Sequence, residues 1–498
     1  MNLLYKSTRN ADKTVTASEA ILKGLADDGG LFVPDSIPAL EVPLEKLADM
    51  TYQETAYEVM KLFLSDFTEE ELKHCINGAY DDKFDTKEIA PLVKKDGAYY
   101  LELFHGKTIA FKDMALSILP HLMITSARKN QVKNDIVILT ATSGDTGKAA
   151  LEGFKDVDHT KIVVFYPVDG VSPMQKHQMN TQEGENVRVC AIKGNFDDAQ
   201  TGVKKIFTTP SVAEKLAENN MLFSSANSIN WGRLLPQIVY YISAYCDLVN
   251  DGKIELGDKI NVVVPTGNFG NILASYYASI MGLPINKFIC ASNSNNVLSD
   301  FIKTGVYDKN RHFYTTISPS MDILVSSNLE RLLYKLSGNN ADTTKELMTA
   351  LKTVGKYEVS DEIKAEIKSK FFGGFCDDEQ TKATIKALFD TDNYLCDTHT
   401  AVAVNVYEQY VEQTGDTTPS VIASTASPYK FSKAVLEAVS DGTDLPENEF
   451  DMVEKLFEVS NAPVPAPLAA LKDKKARFSD VTEVNSMPQY VLDALNIK

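Results

Sequence analysis

The sequence has no excess of basic residues and contains a single tryptophan. Its 50 Lys and Arg residues are outnumbered by 68 Asp and Glu residues, which gives a formal net charge of -18 at pH 7. Such a chain repels phosphate backbones and anionic lipid surfaces, and it offers neither a basic patch nor an aromatic platform for nucleic acids. Nucleic acids and membranes are therefore excluded as expected partners. A small anion is not excluded, because a local cluster of backbone N–H groups can bind it.

Cysteine pairs and long apolar runs are also missing. The six Cys residues are scattered without a CxxC pair, which excludes the usual zinc motifs and a small disulfide scaffold. No window approaches the roughly 20 apolar residues of a transmembrane helix. The first thirty residues show no basic stretch followed by an apolar run, so no secretory signal is predicted. We therefore expect reduced thiols and a cytoplasmic location.

Length and composition predict several domains. With 498 residues, of which 44% are hydrophobic, the chain is long enough for about three domain-sized units. Residues 1–97 are predicted to form a largely helical N-terminal domain. Residues 98–260 and 261–435 are predicted to form the two halves of an α/β protein, and charged amphipathic patterns indicate a helical insertion at 326–395. Residues 436–498 are predicted to form a C-terminal extension.

Short β-branched runs alternate with helical stretches from residue 135 onward. Several of these runs are almost entirely apolar, as is typical of parallel strands that are buried on both faces. The pattern therefore predicts an α/β fold with parallel-rich sheets. The predicted strands are 135–140, 161–166, 187–192, 260–264, 287–292 and 420–424.

The segment 104–113 (FHGKTIAFKD) places one lysine, Lys112, at the predicted start of a helix. A hairpin that turns at Asp96 and Gly97 is predicted to precede it. Removal from water and the positive end of a helix dipole both lower the pKa of an amine, so that it can act as a nucleophile. For a lone lysine, a side chain that reaches from a half-buried helix end to solvent is the commoner explanation. The loops described next favour the nucleophile.

Three loops rich in glycine or hydroxyl groups follow predicted strands directly: 140–147, 265–271 and 424–428. In open α/β sheets, ligands bind just beyond the carboxyl ends of the strands. The second loop has small residues, so its backbone N–H groups are able to converge on a phosphate at the start of the next helix. Each loop taken alone is equally typical of an ordinary helix cap or strand end.

A lysine, a phosphate-binding loop and a hydroxyl group together suggest pyridoxal 5'-phosphate. Lys112 would bind the aldehyde, residues 267–271 the phosphate and Thr425 the ring nitrogen. A hydroxyl partner leaves this nitrogen largely unprotonated. The ring is then a milder electron sink, which suits elimination and replacement reactions better than transamination.

These motifs together resemble the threonine synthase family in its longer form, which has the fold-type II architecture of pyridoxal-phosphate enzymes (tryptophan synthase β-like). The resemblance covers nearly the whole chain. Lys107 is a departure, because the family commonly has proline there. Besides the lysine segment, the matching motifs are YKSTR at 5–9, GLADDGGLFVP at 24–34, SGDTG at 143–147, SANSIN at 225–230, GNFGN at 267–271 and SPSMD at 318–322.

The resemblance implies a set of site residues. Lys112 would be the catalytic residue and would hold the cofactor, and Thr425 would contact the ring nitrogen. Asp397 and His399 would belong to the framework, and no metal site is expected. The cofactor phosphate would be held by Gly267, Asn268, Phe269 and Asn271. The substrate, O-phospho-L-homoserine, would be bound by Thr142, Ser143, Asp145, Thr146, Ser228, Asn230 and Arg233, and which of these binds the carboxylate and which the phosphate stays open.

The resemblance also implies a reaction. Phosphate would leave by γ-elimination and water would add at the β-carbon to give L-threonine, with Lys112 as the base. The enzyme would be a monomer or a homodimer. A phospho-lyase that releases a keto acid is the alternative, because the same motifs serve both reactions. A cofactor-binding protein without catalytic activity is disfavoured by the intact lysine and phosphate loop.

Overall fold

The computed structural model describes residues 2–497 except Asp96, Ser143, Gly170, Asp441, Thr443 and Asp444, and it leaves the side chain of Asp197 undescribed. The chain begins with a small antiparallel sheet in the strand order β2-β1-β3. Helices follow, as predicted for residues 1–97, but the sheet that precedes them was not predicted because its strands are short. The elements of this part are β1 (Tyr5–Ser7), β2 (Asn10–Val15), α1 (Ala17–Lys23), β3 (Phe32–Pro34), α2 (Leu44–Leu47), α3 (Tyr52–Phe63) and α4 (Glu69–Ala79).

Three helices of this N-terminal part begin with the same local motif. In α1, α3 and α4 a threonine side chain accepts the N–H of a glutamate three residues later, and the glutamate carboxylate accepts the threonine N–H. Such a capping box satisfies two of the N–H groups that have no partner inside the helix. The sequence therefore determines where these helices start.

The middle of the chain alternates strands and helices as predicted. Its first two strands form the predicted antiparallel hairpin, whose turn residue Asp96 lies outside the described residues. The elements are β4 (Leu92–Lys95), β5 (Ala98–Glu102), α5 (Asp113–Leu116), α6 (Leu119–Lys129), β6 (Asp135–Ala141), α7 (Asp145–Phe154), β7 (Thr160–Pro167), α8 (Pro173–Asn180), β8 (Val187–Lys193), α9 (Phe196–Phe207), α10 (Pro210–Glu218), β9 (Met221–Ser224), α11 (Trp231–Leu234) and α12 (Pro236–Asn250).

The last part of the chain continues this alternation and then becomes mainly helical. In the part of the chain that the structure describes, no helix is long and apolar enough to cross a membrane. The elements are β10 (Ile260–Pro265), α13 (Gly270–Ile280), β11 (Ile285–Ser292), α14 (Val297–Thr304), β12 (Val306–Asp308), α15 (Leu329–Leu336), α16 (Ala341–Thr353), β13 (Lys356–Glu358), α17 (Asp361–Lys370), β14 (Phe371–Phe375), α18 (Asp378–Asp392), α19 (Thr398–Thr414), β15 (Ser420–Ser424), α20 (Ser432–Val439), α21 (Glu449–Ser460), α22 (Ala466–Ala469), β16 (Asp480–Glu483) and α23 (Met487–Ala494).

Two sheets organise the α/β part. One has six strands in the order β14-β11-β10-β15-β5-β4, and the other has five in the order β16-β8-β7-β6-β9. All neighbours are parallel except β4 and β5. All six strands predicted from apolar runs are present, three in each sheet. The carboxyl ends of β5, β10 and β15 therefore meet at one edge of the first sheet, and the loop after β6 lies at the equivalent edge of the second.

Sheet membership differs from the predicted division of the chain. The β4–β5 hairpin belongs to the sheet of the second half, because β5 pairs with β15 through Tyr99 and Val421. The predicted helical insertion at 326–395 contributes an edge strand, β14, which pairs with β11. The C-terminal extension also contributes a strand, because β16 pairs with β8. β16 (DVTE) is short and charged, and β14 (FFGGF) is interrupted by two glycines, so neither shows the continuous apolar run that marks a buried strand.

Candidate active site

The lysine segment is held against the loop that follows β15. The Phe111 N–H donates to the Thr425 carbonyl (2.8 Å), and the Ser427 N–H donates to the Ile109 carbonyl (3.0 Å). Ile109 has a φ of 54°, which a β-branched residue rarely adopts. This pairing places Lys112, at the start of α5, next to Thr425, although 313 residues separate the two positions in the chain.

The local sequence explains why this segment folds so tightly. Both oxygens of the buried Asp113 carboxylate are used by Thr108, whose N–H donates at 2.8 Å and whose hydroxyl donates at 2.6 Å. A Cβ atom at Gly106 would lie 2.5 Å from this carboxylate, so the position requires glycine. Burial raises the pKa of Asp113 to about 6, although Thr108 opposes the shift. The residues around Lys112 thus form a compact turn that fixes the start of α5.

The Lys112 amine faces a buried carboxylate. Its Nζ lies 3.3 Å from Asp145 Oδ2 and 3.3 Å from Ser320 Oγ, and its side chain is only 10% exposed. Burial lowers the pKa of Lys112, and Asp145 offsets part of this effect. The loop after β6 and the loop around residue 320 therefore meet at an amine whose charged form is disfavoured, which is the state that a nucleophile or base requires.

Asp145 itself has four partners. In addition to Lys112, its oxygens accept from Gln175 Nε2 (2.8 Å) and Ser320 Oγ (3.2 Å), and Oδ1 lies 3.3 Å from Lys430 Nζ. Burial alone would raise the pKa of Asp145, but Lys430 and Lys112 lower it well below its usual range. The carboxylate is therefore ionised and fixed in orientation between two buried lysines.

The loop after β10 has the features of an anion cradle. A Cβ at Gly267 would lie 2.5 Å from the Ser320 carbonyl, and Phe269 has a φ of 64° where the chain turns into α13. The first N–H groups of a helix have no partner inside it, and they attract anions. The Asn271 side chain adds a buried Nδ2 without a hydrogen-bond partner, while its Oδ1 accepts from Tyr241. These donors fit a phosphate group.

The first loop is largely occupied by its own hydrogen bonds. Thr142 Oγ1 accepts the N–H groups of Gly144 and Gly147, both at 2.9 Å. The hydroxyl oxygen therefore stabilises the turn into α7, and only the hydroxyl proton remains available to bind a ligand. Thr146 is half-buried at the start of this helix, and the candidate Ser143 lies outside the described residues.

The predicted substrate contacts in the segment 225–233 differ in burial and in how many of their polar atoms already have hydrogen-bond partners. Asn230 donates to the carbonyls of Ile21 and Ser225 and accepts the Gly232 N–H, so its amide is used inside the protein. Ser228 is half-buried. Arg233 is buried and donates to a backbone carbonyl at 2.7 Å, but its Nε has no partner. Among these candidates, Arg233 is the best placed to receive an anion.

Burial lowers the pKa of Arg233 to about 10. Among the residues that the structure describes, no carboxylate forms an ion pair with it. Its charge also contributes to the lowered pKa of Lys112, after the effects of burial and Lys430. A guanidinium that remains buried without a counter-ion is costly unless an anion completes the site.

Four residues of this site were not predicted: Gln175, Ser320, His399 and Lys430. His399 Nε2 accepts the Ser320 N–H (3.1 Å), and its Nδ1 therefore carries the proton that it donates to Asp397 Oδ2 (2.7 Å). Ser320 lies in the matching motif at 318–322, which was the one available signal. The others are far apart in sequence and are brought together only by the fold.

The donor set fits pyridoxal 5'-phosphate. A buried amine of lowered pKa lies beside Thr425, and the cradle at residues 267–271 offers unpaired donors for a phosphate. The predicted positions Lys112, Thr425 and 267–271 are thus brought to the adjoining ends of β5, β10 and β15. The roles of the individual residues remain predictions.

Comparison with known proteins identifies the family. Residues 87–359 match the family model described as "Pyridoxal-phosphate dependent enzyme", residues 4–80 match "Threonine synthase N terminus", and residues 400–491 match "Threonine synthase, C-terminal". These matches cover most of the chain, and every candidate site residue falls within them. Lys112, the candidates at 142–233 and those at 267–271 lie in the first match, and Thr425 lies in the third.

Individual relatives agree with these matches. Human threonine synthase-like 1 is 41% identical over 85% of this chain, and the chain spans 58% of the length of that protein. Threonine synthase of Saccharomyces cerevisiae is 36% identical, with coverage of 92% of this chain and 93% of the relative. The crystal structure of pyridoxal-phosphate-bound threonine synthase from Brucella melitensis superposes with a TM-score of 0.87 at 35% identity and covers 99% of both chains. The predicted fold class and cofactor are confirmed, and the chain belongs to the threonine synthase family of pyridoxal-phosphate-dependent enzymes.

Proposed function

We propose that this protein is a threonine synthase, which converts O-phospho-L-homoserine and water into L-threonine and phosphate. The observation that carries the proposal is the buried Lys112 amine, 3.3 Å from Asp145 and adjacent to Thr425 and an anion cradle. Membership of the family supports the same reaction.

Lys112, Thr425 and residues 267–271 would hold the cofactor. When bound, pyridoxal phosphate supplies an electron sink that stabilises negative charge on the carbon atoms of an amino-acid substrate. The phosphate would accept hydrogen bonds at the start of α13 and from Asn271 Nδ2. Thr425 would contact the ring nitrogen.

Lys112 would act as the proton carrier. Its Nζ removes the α-proton, Asp145 stabilises the resulting ammonium, and Ser320 Oγ orients the amine from 3.3 Å. In the overall reaction the phosphate leaves the γ-carbon, one proton moves from the β-carbon to the γ-carbon, and hydroxide adds at the β-carbon. The remaining proton of the water leaves with the phosphate, so atoms and charges balance.

The local charge of the site suits a substrate with two acidic groups. Lys112, Lys430 and Arg233 carry up to three positive charges, and the carboxylate of Asp145 contacts two of them. The carboxylate and phosphate of O-phospho-L-homoserine would supply the missing negative charge. Arg233 Nε is the unpaired donor that one of them would engage, while Thr142, Ser143, Thr146, Ser228 and Asn230 remain predicted substrate contacts.

The decisive experiment follows both products of the reaction. We would incubate the pyridoxal-phosphate-loaded protein with O-phospho-L-homoserine and quantify phosphate and the organic product. Stoichiometric threonine that is lost in Lys112→Ala supports the proposal. Lys107→Ala is the matched control, because this lysine is exposed in the same segment and has no assigned role. Release of 2-oxobutyrate would instead identify a phospho-lyase. If no phosphate were released, the proposal that O-phospho-L-homoserine is the substrate would be wrong.

We further propose that the enzyme acts in the cytoplasm, as a monomer or homodimer, on a small-molecule substrate without nucleic acid or membrane. The acidic composition supports this setting. Sedimentation of the loaded protein as a larger assembly, or fractionation with membranes, would contradict it.

A further inference from the structure

Lys430 is a second buried lysine that shares the carboxylate of the first. It lies on the turn Pro428–Phe431 after β15, and its side chain is 1% exposed. Its Nζ donates to the Thr108 carbonyl at 2.7 Å and lies 3.3 Å from Asp145 Oδ1. Lys112 approaches the other oxygen, Oδ2, also at 3.3 Å. One carboxylate therefore separates two buried amines.

The two amines differ in the hydrogen-bond partners that surround them. Lys430 has a carbonyl and a carboxylate as partners, and both of these groups only accept hydrogen bonds. Lys112 has two longer contacts, one of them to a hydroxyl that is able to donate instead. The contacts of Lys112 are thus compatible with a neutral amine, because Ser320 Oγ is able to donate to it.

Few other charges face this group. Besides Asp145 and Lys430, Arg233 acts on Lys112, and it acts in the same direction as Lys430. Asp145 also faces His399, and Asp113 faces Lys430. Lys430 differs from Arg233 and His399 in two contacts. It contacts Asp145, the carboxylate that also binds Lys112, and it is anchored to the Lys112 segment through the Thr108 carbonyl.

We propose that Lys430 is a positioning residue whose fixed positive charge, acting across Asp145, keeps Lys112 neutral and keeps Asp145 ready to receive a protonated Lys112. The inference rests on the proposed role of Lys112. It assigns to Lys430 an electrostatic function rather than only an anchoring one.

The expected effect is large enough to measure. Each Nζ lies 3.3 Å from one oxygen of the same carboxylate, and these two oxygens are about 2.2 Å apart, so the two nitrogens are within about 9 Å of each other. At an effective dielectric constant of about 20, removal of one such charge shifts a protonation midpoint by about one pH unit or more.

The test is a pH titration of the visible absorption of the pyridoxal-phosphate-loaded protein, which reports protonation at the Lys112 nitrogen joined to the cofactor. Lys430→Gln keeps a donor but removes the charge, and its midpoint should rise by about one unit or more. Lys430→Arg keeps the charge and should return the midpoint close to the wild-type value. Lys129→Gln is the control, because Lys129 pairs with Glu71 far from the site.

A second pair of variants keeps the test valid if Lys430→Gln does not fold. Asp145→Asn should lower the midpoint, and Asp145→Asn combined with Lys430→Gln should raise it again. Identical midpoints in these two proteins, or an unmoved midpoint in folded Lys430→Gln, would overturn the inference alone. A wild-type protein without a titrating visible band, or a band that survives Lys112→Ala, would overturn the proposed role of Lys112 and the inference with it.

Discussion

Two adjoining regions of the site satisfy their polar groups in opposite ways. The amine region, formed by Lys112, Asp145, Gln175, Ser320 and Lys430, is closed by its own hydrogen bonds and ion pairs. The anion region, formed by residues 267–271 and Arg233, contains buried donors without partners at Asn271 Nδ2 and Arg233 Nε. Buried donors that lack partners destabilise the protein that carries them.

The difference indicates a division of labour. The group that must react is preorganised by the protein, so its orientation and protonation do not depend on the ligand. The groups that must bind remain incomplete until a ligand arrives, so part of the binding free energy comes from satisfying them. Substitutions in the amine region should therefore change the rate, and substitutions in the anion region should change affinity.

The largest effect is expected for Asp145→Asn, which breaks the amine region at its centre. Lys112 would lose the carboxylate that stabilises its protonated form, so kcat should fall by about 100-fold while the cofactor stays bound. Initial rates of phosphate release at saturating substrate measure this change. Asp158→Asn, at an exposed position, is the control. A wild-type kcat, or loss of the cofactor, would show that Asp145 has a different role.

The next effect is expected for Arg233→Met in the anion region. A charge-assisted hydrogen bond contributes about 1.5–3 kcal/mol, so KM should rise by about 10- to 100-fold with a smaller change in kcat. The control is Arg128→Met, since Arg128 is exposed on α6. Substrate-saturation curves separate the two parameters. An unchanged KM with a reduced kcat would contradict the proposed contact with the substrate.

A smaller effect is expected for Asn271→Leu, and it should differ between the free and loaded proteins. In the free protein the substitution removes an unpaired Nδ2 but also the acceptor of Tyr241, so the two changes in stability should nearly cancel. In the loaded protein a hydrogen bond to phosphate is lost, and affinity for pyridoxal phosphate should fall by about 5- to 10-fold. Cofactor titration by fluorescence and thermal unfolding measure the two effects. If the wild-type protein and Asn271→Leu bound pyridoxal phosphate with equal affinity, Asn271 would not be a phosphate contact.

The smallest effect concerns His105, at the edge of the lysine segment. Burial lowers its pKa, but Glu102 and Asp85 raise it more, so the net shift is upward. A raised folded-state pKa means that the stabilisation is fully present below the unfolded value of about 6.5 and disappears as the pH rises through the folded-state pKa.

His105→Gln should therefore reduce the free energy of unfolding by about 0.2–1 kcal/mol at pH 5.5, with a smaller difference at pH 9. Urea unfolding at the two pH values checks this prediction. A difference that grows with pH would mean that the neutral imidazole, rather than the imidazolium, is the stabilising form.

The sequence was sufficient for features that depend on local pattern. Buried parallel strands such as β10 are nearly continuous apolar runs. The small residues at 267–271 indicate a loop that approaches another backbone closely, as Gly267 approaches Ser320. Lys112 was recognisable because its segment and the loop at 424–428 both follow strands. These features are visible within about ten residues of chain.

Features that depend on distant contacts were not predictable in this way. Lys430 and Gln175 look like ordinary surface residues in the sequence, and only the fold brings them to Asp145. Asn230 shows the converse, because a polar residue in a matching motif turns out to cap α11. The strands β14 and β16 were missed because their partners, rather than their own composition, make them strands.

The pairing of β16 with β8 has a consequence for how the protein is made. Lys193 and Glu483, which join these strands, are 290 residues apart. At a synthesis rate of about 5–20 residues per second, β16 is synthesised roughly 15–60 s after β8, and the edge of β8 has no partner strand during that time. An open strand edge during that interval is a template for pairing with other chains. Late synthesis of one short, charged strand therefore leaves the β8 edge unpaired for most of the time that the chain is being made.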